Sequence, residues 1–572
     1  MMKKILAVLL LGCLLCLALA GCGKTDLDKS QEYMDDHPLA EKKLYSVSFA
    51  LVSDDAIDDA TMKAISENFN RFTEANYNIH VEFTNVTAAQ YAAWLENRYT
   101  AVETVHAARL AEEADVTSKK AELERLEKDA EAAESAVLTA KLDYYVAYAA
   151  LHARTDNWTA DVVAEINEYL DAAREALANN EFETATSKLN AASFSFANLG
   201  RKSKDGAIGS DIREVYPEIE EDQFDLIYIA NYDMLASLVR AGRLRDLTAE
   251  LTSNDYRLIK KHMTEKFFEA SKLAGKFYAV PNCRVMADYK YLRVNVAKAQ
   301  AYNYTFQKEL SDYSSTGMLR QAITAEGGAP GDFVQKDKIG DYNYRFELAE
   351  DGAWWVYGSV NEQLPAIQQS DLMNGMLAVT SYAFVDDNGT VSTTEDDYCP
   401  AVRILYAVNT EQVLQSTLRY GAYTTSVVVD GGSRVTVVTP QEGYVADSKY
   451  TGNVFALYPT QEEYENNVQA GSRTQNNETR ITTDIYAITA TSATEGCTAV
   501  TSSEFGKSGE TVTLTATPAE GYTFTQWIVK TDEGEEVKST SAVYQYVVSP
   551  GDIELIAQFD GSAAPVDEEP GE

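Results

Sequence analysis

Phe224-Asp225-Leu226-Ile227-Tyr228-Ile229 is a short apolar run bounded by acidic residues. A run of this kind is a strand buried on both faces, the type found in parallel sheets covered by helices. Asn231-Tyr232-Asp233 stands at its carboxyl end. Helical stretches follow over 234–240 and 253–273, and then Gly275-Lys276-Phe277-Tyr278-Ala279-Val280-Pro281-Asn282. On the amino-terminal side, Val47, Phe49 and Leu51 alternate as a strand, Asp54-Asp55 make a turn, a helical pattern runs over about 58–75, and a second strand covers 79–83. This β-α-β order predicts parallel strands joined by a right-handed crossover, the start of an α/β lobe.

Between these two regions the helix breakers disappear: no Gly lies between Gly23 and Gly200, and no Pro between Pro38 and Pro217. A heptad through Leu123, Leu126, Ala130, Ala133, Val137, Ala140, Tyr144, Ala147 and Leu151 predicts one long amphipathic or coiled-coil helix over about 88–154. Arg154-Thr155-Asp156-Asn157 breaks it. Two further helices, 160–177 and 182–199, join at Asn179-Asn180 with Ala172, Ala173, Leu177, Phe182, Ala185, Leu189 and Ala192 as their apolar face, similar to one tetratricopeptide-type hairpin. The insertion reads either as a partner-binding arm or as a spacer packed on its own lobe.

Tyr232-Asp233-Met234-Leu235-Ala236-Ser237-Leu238-Val239, then Gly242-Arg243-Leu244-Arg245-Asp246-Leu247, then Gly275 to Asn282, resemble in this order the extracellular solute-binding proteins of bacterial ABC importers. Ala401 to Asn409 looks like part of that family's second lobe. Leu418-Arg419-Tyr420-Gly421 and the stretch from Tyr450 to Pro459 resemble the C-terminal part of its Gram-positive lipoprotein members. The resemblance covers about 44–485 without the helical insertion; Cys283, where a polar residue is more usual, departs from it. It implies an α/β, two-lobed periplasmic-binding-protein-like (type II) fold with a helical insertion in the first lobe. From Ala487 the composition turns Thr-rich. Val512, Leu514 and Ala516 alternate with Thr511, Thr513 and Thr515 before Trp527, and the segment resembles the divergent B-repeat of internalin-like surface proteins, a small all-β domain.

The chain begins with Lys3-Lys4 and an apolar stretch over 5–20 that ends in Leu19-Ala20-Gly21-Cys22. This is a secretory signal peptide whose end resembles the bacterial lipobox, in which the Cys is diacylated and becomes the mature N-terminus. Two acyl chains at about 0.8 kcal/mol per buried CH2 suffice for stable attachment. The alternative is a plain signal peptide that ends near a Cys. The expected organisation is 1–21 signal peptide, 22–43 tether, 44–103 start of lobe 1, 104–205 helical insertion, 206–486 remainder of both lobes, 487–560 β-repeat and 561–572 acidic disordered tail. With 49 Lys and Arg against 88 Asp and Glu, the net charge of −39 repels phosphate backbones and argues against nucleic acid as a partner. Of six Cys, the three past the lipobox (Cys283, Cys399, Cys497) are far apart and lack any CxxC spacing, so buried isolated thiols are expected and zinc is not.

The five His (His37, His80, His106, His152, His262) have no ligand spacing, and the chain contains no His-Glu-x-x-His, Gly-x-Ser-x-Gly or phosphate-cradling loop. No metal, cofactor or catalytic residue is expected. Asp386-Asp387-Asn388-Gly389 and Asp430-Gly431-Gly432 read as hairpin turns rather than calcium loops. Tyr is abundant, 35 in all, and Trp354-Trp355 with Tyr357 form the densest aromatic segment. Flat aromatic faces beside carboxylates and amides suit sugars; the competing reading is that most Tyr are half-buried strand residues. Ligands of open α/β sheets bind beyond the carboxyl ends of strands. That places candidate ligand contacts at Asp54, Asp55, Asn231, Tyr232, Asn282, Trp354, Trp355 and Tyr382.

The expected protein is a monomeric, lipid-anchored, extracellular solute-binding protein that captures a small solute, a sugar or oligosaccharide by preference, and delivers it to an ABC permease in the cell membrane. Two rivals stand: a surface adhesion or scaffold lipoprotein that uses the helical arm and β-repeat, and a polysaccharide-processing enzyme, since paired carboxylates alone need no motif.

Overall fold

The β-α-β opening is present in the computed structural model. Its described residues are 43–561, apart from 130, 156–159, 206–215, 255–256, 288–290, 296–332, 337–346, 349–353, 358–364, 387–397, 422–423, 442 and 467. The signal peptide, Cys22, the tether through 42, the turn at Asp387-Asn388-Gly389 and the acidic tail from 562 lie outside the described residues. The chain divides into two compact units, one made of residues up to Tyr91 together with those from Phe224 onward, the other Ala92–Gln223.

β1 (Tyr45–Ser53) pairs in parallel with β2 (Ile79–Thr87), in register from Tyr45 opposite Ile79 to Ser53 opposite Thr87. Between them runs α1 (Asp59–Tyr77). The Asp58 carboxylate starts this helix by accepting from the N–H groups of Ala60 and Thr61 at 3.0 and 2.9 Å, and Asn78, in the left-handed region at φ 57°, ends it. Ile65, Phe69 and Phe72 form one buried stripe on α1, each contributing about 1.5–3 kcal/mol through burial.

The helical unit continues through α2 (Ala88–Lys128), α3 (Glu134–Thr155), α4 (Ala160–Ala178) and α5 (Phe182–Asp205). It is wider than the expected 104–205, because α2 starts directly after β2 and runs unbroken. The predicted single helix over 88–154 is instead two helices with a break after Lys128. The break resets the phase: Leu138, Leu142 and Ala149 pack with Ile166, Leu170 and Ala173 of α4 and Ala185, Leu189 and Ala192 of α5, while Val137 is only partly buried. The α4–α5 hairpin turns at Asn180, φ 60°. Arg109 pairs with Asp222 at 3.0 Å and Arg98 donates to the Gln223 carbonyl at 2.9 Å, so the chain enters and leaves this unit at one place.

Beyond it, β3 (Leu226–Ile229) lies beside β1, α6 (Tyr232–Arg240) follows, and β4 (Ala279–Pro281) and β5 (Met376–Val379) complete a sheet of order β2-β1-β3-β5-β4, in which β5 alone is antiparallel. All four residues of β3 are buried. Asp225 is fully buried as well, and its carboxylate accepts from Ser48 N and Oγ, both at 2.8 Å, and from Phe384 N at 2.9 Å.

The expectation that Ala401 to Asn409 belongs to a second lobe needs correction. α7 (Pro400–Thr410) and α8 (Gln412–Tyr420) pack into the same core as β1, β2 and α1, with Val47, Phe49, Ile65, Phe69, Ile404, Leu405 and Leu418 in one cluster. α7 is buried on almost every face, Arg403 excepted, as suits a helix central to a core and not one laid on a lobe surface. Among the described residues, the 291–357 region contributes a four-stranded antiparallel sheet, and Thr425–Asp430 with Ser433–Val438 form a hairpin whose two-residue turn, Gly431-Gly432, has both φ values positive.

The C-terminal module, Ile485–Gly561, holds a five-stranded and a three-stranded sheet around Trp527, Leu514, Leu555 and Ile488. Its alternation is as expected: Val512, Leu514 and Ala516 are buried, and the threonines between and beside them face outward.

Candidate functional site

β1, β3 and β4 run in one direction, so their carboxyl ends open on the same edge of the sheet, together with the start of the antiparallel β5. Gly375 enters β5 there at φ 87°, and a Cβ would come within 2.7 Å of the Lys449 carbonyl. Only glycine suits both demands. Asp54, just past β1, accepts from the Tyr450 hydroxyl at 2.6 Å and from Lys449 Nζ at 3.1 Å. Asn282, just past β4, is fully buried and donates Nδ2 to the Lys449 carbonyl at 2.6 Å, while its Oδ1 has no partner among the described residues. One short segment, 449–450, therefore bridges two of the residues that the sequence placed at this edge.

Beneath them three tyrosines make a floor. Tyr450 packs edge-on against Tyr228 at 5.2 Å between centroids, and Tyr228 against Tyr91 at 5.8 Å. The Tyr91 hydroxyl donates to the Tyr228 carbonyl at 2.7 Å and accepts from its N–H at 2.9 Å. Burial, with the Tyr450 hydroxyl close by, pushes the Tyr228 phenol up to about 12. The Tyr450 hydrogen bond, followed by that of Lys449, holds the exposed Asp54 carboxyl below its ordinary range. For Lys449, burial alone would lower the ammonium, but hydrogen bonds with Tyr450 and Asp54 outweigh it and hold the group above lysine's usual value. At neutral pH the edge carries a carboxylate and an ammonium in contact, over neutral phenols. Beside them Arg284 donates to the carbonyls of Asn282 and Asn374 at 3.0 and 2.8 Å.

The other expected contacts are used differently. Asn231 caps α6, its side chain accepting from Met234 N at 2.9 Å. Tyr232 is buried, and its hydroxyl donates to Glu510 of the C-terminal module at 3.1 Å. Arg240 on the same helix pairs with Glu510 at 2.9 Å, donates to Ser503 Oγ at 3.0 Å and lies over the Phe505 ring. Tyr232 thus holds a β module against α6, because the amphipathic α6 turns this ring to the covered side. Asp55 is exposed, its carbonyl accepting from Ser53 Oγ. The Tyr382 backbone ties to Phe224 and Thr380. The strand Trp354–Tyr357 pairs with Tyr291–Asn295; the side chains of Trp354 and Trp355 lie outside the described residues. Lys449, Tyr450, Tyr228, Tyr91 and Arg284 were missed, although Tyr450 opens a quoted motif and Tyr228 sits in the deciding strand. No spacing joins positions so far apart.

Cys283, Cys399 and Cys497 are buried free thiols. Among the described residues no group of three or more His, Cys, Asp or Glu is placed to hold a metal ion, and no helix is long and apolar enough to cross a membrane.

Residues 486–563 match the family model "Divergent InlB B-repeat domain". The C-terminal segment is therefore similar to that repeat, as its Thr-rich alternation implied. Among solved structures, the chain is similar to the N-glycan transport solute binding protein NgtS of Streptococcus pneumoniae, at 10% identity over 76% of this chain and 83% of that one, with a TM-score of 0.35. The same protein in complex with Man5GlcNAc gives 10% identity over the same shares and a TM-score of 0.32. No curated protein sequence matches the chain.

Proposed function

We propose that the protein is an extracellular solute-binding component of an ABC importer, which captures a small solute, in our reading a sugar or oligosaccharide, and hands it to a membrane permease. The observation that carries this is the convergence of Asp54, Lys449, Asn282 and Arg284 over a tyrosine floor at the carboxyl end of an open α/β sheet, where such sheets bind ligands. A carboxylate, an ammonium, an amide and a guanidinium supply the mixed donors and acceptors that hydroxyl-rich solutes need. In this reading the protein catalyses nothing. The solute bridges two lobes and stabilises a closed form, and only its differential affinity for that form shifts the equilibrium. The lipobox-like Leu19-Ala20-Gly21-Cys22 would anchor the chain at the extracellular face through acylated Cys22.

A thermal-shift screen of the purified chain against glycans, amino acids and peptides tests the binding claim. A cognate solute at about 100 times its dissociation constant should add roughly 2.7 kcal/mol to the native state. Saccharides that give no shift, beside a peptide that does, would remove the sugar assignment. Mass spectrometry of membrane-extracted protein tests the anchor: Cys22 should be the acylated first residue, and an unmodified Cys22 behind a different cleavage site would refute it. The second reading, a surface adhesion protein, draws on the B-repeat match. It gains if the purified chain binds no small molecule but captures a protein through its helical unit.

A further inference from the structure

A pocket of about 180 Å³ adjoins this site, lined in part by Arg284, Ser448, Phe455, Glu463 and Arg419. Its charge is contrary to that of the chain, whose net charge is −39. Among the described residues, the Arg284 guanidinium donates to the carbonyls of Asn282 and Asn374, and burial lowers its affinity for the proton. Arg419 donates Nη1 to the Ala446 carbonyl, and its buried Nε has no partner among the described residues.

Among the described residues, neither of these two arginines has a carboxylate within ion-pair distance. The one carboxylate lining the pocket, Glu463, already accepts from the Tyr420 hydroxyl at 2.6 Å and from Thr460 N and Oγ1 at 3.0 and 3.1 Å. Tying loops together explains the donors that reach carbonyls. It does not explain two partly buried guanidinium groups left without a direct ion pair, since a partly buried charge is costly unless paired. Guanidinium groups match carboxylates in shape as well as charge.

We propose that this pocket is an anion subsite that receives the carboxylate of an acidic sugar, so that the solute is an oligosaccharide carrying a uronate or sialate residue. The proposal rests on the sugar-binding reading above and deepens it. Ser448 and Arg284 join the two regions, because Ser448 precedes Lys449, which touches Asp54, and Arg284 follows Asn282.

Calorimetric titration of the purified chain with matched pairs tests it: trigalacturonate against its methyl ester, and sialyllactose against lactose. The acidic member of at least one pair should bind tenfold or more tightly than its neutral twin. Arg419→Gln should bring the acidic member close to the neutral one and leave the neutral one unchanged, with Arg419→Lys intermediate. Should a variant fail to fold, wild-type titrations serve: raising NaCl from about 50 to about 500 mM should weaken the acidic member and spare the neutral one. Equal binding within both pairs, or arginine variants that fold and keep the preference, would overturn the anion subsite while sugar binding stands. Binding of neutral glycans with rejection of every acidic one would do the same. If no saccharide binds at all, the sugar-binding reading falls too.

Discussion

Tyr232 follows a buried strand at the edge where ligands bind, yet its ring is covered and its hydroxyl is given to Glu510. Tyr232→Ala should therefore lower the melting temperature of the free protein, by an amount equivalent to roughly 3–5 kcal/mol for a buried aromatic ring, and leave solute affinity unchanged. Unchanged melting with weakened binding would restore Tyr232 to the site. Asp54 is the opposite case, exposed and facing Lys449 and Tyr450. Its folded-state pKa is depressed, chiefly by the Tyr450 hydrogen bond. A group of that kind keeps its contribution above the unfolded carboxyl value, about 3.9, and loses it as pH falls through the folded value. Solute affinity should be flat through neutral pH and decline only below about pH 4 where Asp54 is the controlling group. In Asp54→Asn that acid limb should be gone; a decline that persists in the variant would assign it to another carboxylate.

At the scale of elements, the helical insertion separates what periodicity gives from what packing gives. Helix was legible because Gly and Pro are absent and the apolar residues recur at helical spacing. The facing surface was not, because a break after Lys128 resets the phase and moves the buried stripe from Val137 and Tyr144 to Leu138, Leu142 and Ala149. Both stripes are apolar enough to qualify, and only the α4–α5 hairpin chooses between them. Leu142→Ala should cost the helical unit about 2–5 kcal/mol in denaturant melts, as for a buried leucine, while Val137→Ala should cost less than about 1 kcal/mol. The reverse order would support the unbroken heptad.

For the whole molecule, the helical unit has its own core, and its entry and exit segments are fastened to each other by Arg109 with Asp222 and by Arg98 with the Gln223 carbonyl. Replacing residues 111–215 with a short Gly-Ser linker should leave the α/β unit folded, since chain ends that meet can be rejoined without strain. Circular dichroism with reduced helix content and a cooperative melt is the expected result. Loss of the cooperative melt would mean that the sheet depends on the insertion. The C-terminal module differs, because Glu510 contacts Tyr232 and Arg240 on α6, so its removal would uncover the Tyr232 ring and leave Arg240 without its carboxylate.

The sequence by itself determined the β-α-β opening, the buried strand at 226–229, the helical character of the insertion and the alternating faces of the β-repeat. Each is a local pattern, and period and propensity act within a few residues of the chain. It also placed Asp54 and Asn282 at strand ends, because strand direction in a parallel sheet follows from chain order. Only the tertiary structure joined them through Lys449 and Tyr450, assembled Tyr91, Tyr228 and Tyr450 into one floor, moved α7 into the first core and gave Tyr232 to Glu510. These depend on contacts between positions far apart in the chain, and such contacts are selected by competition for burial and hydrogen bonds across the whole fold, a competition that no local window of sequence contains.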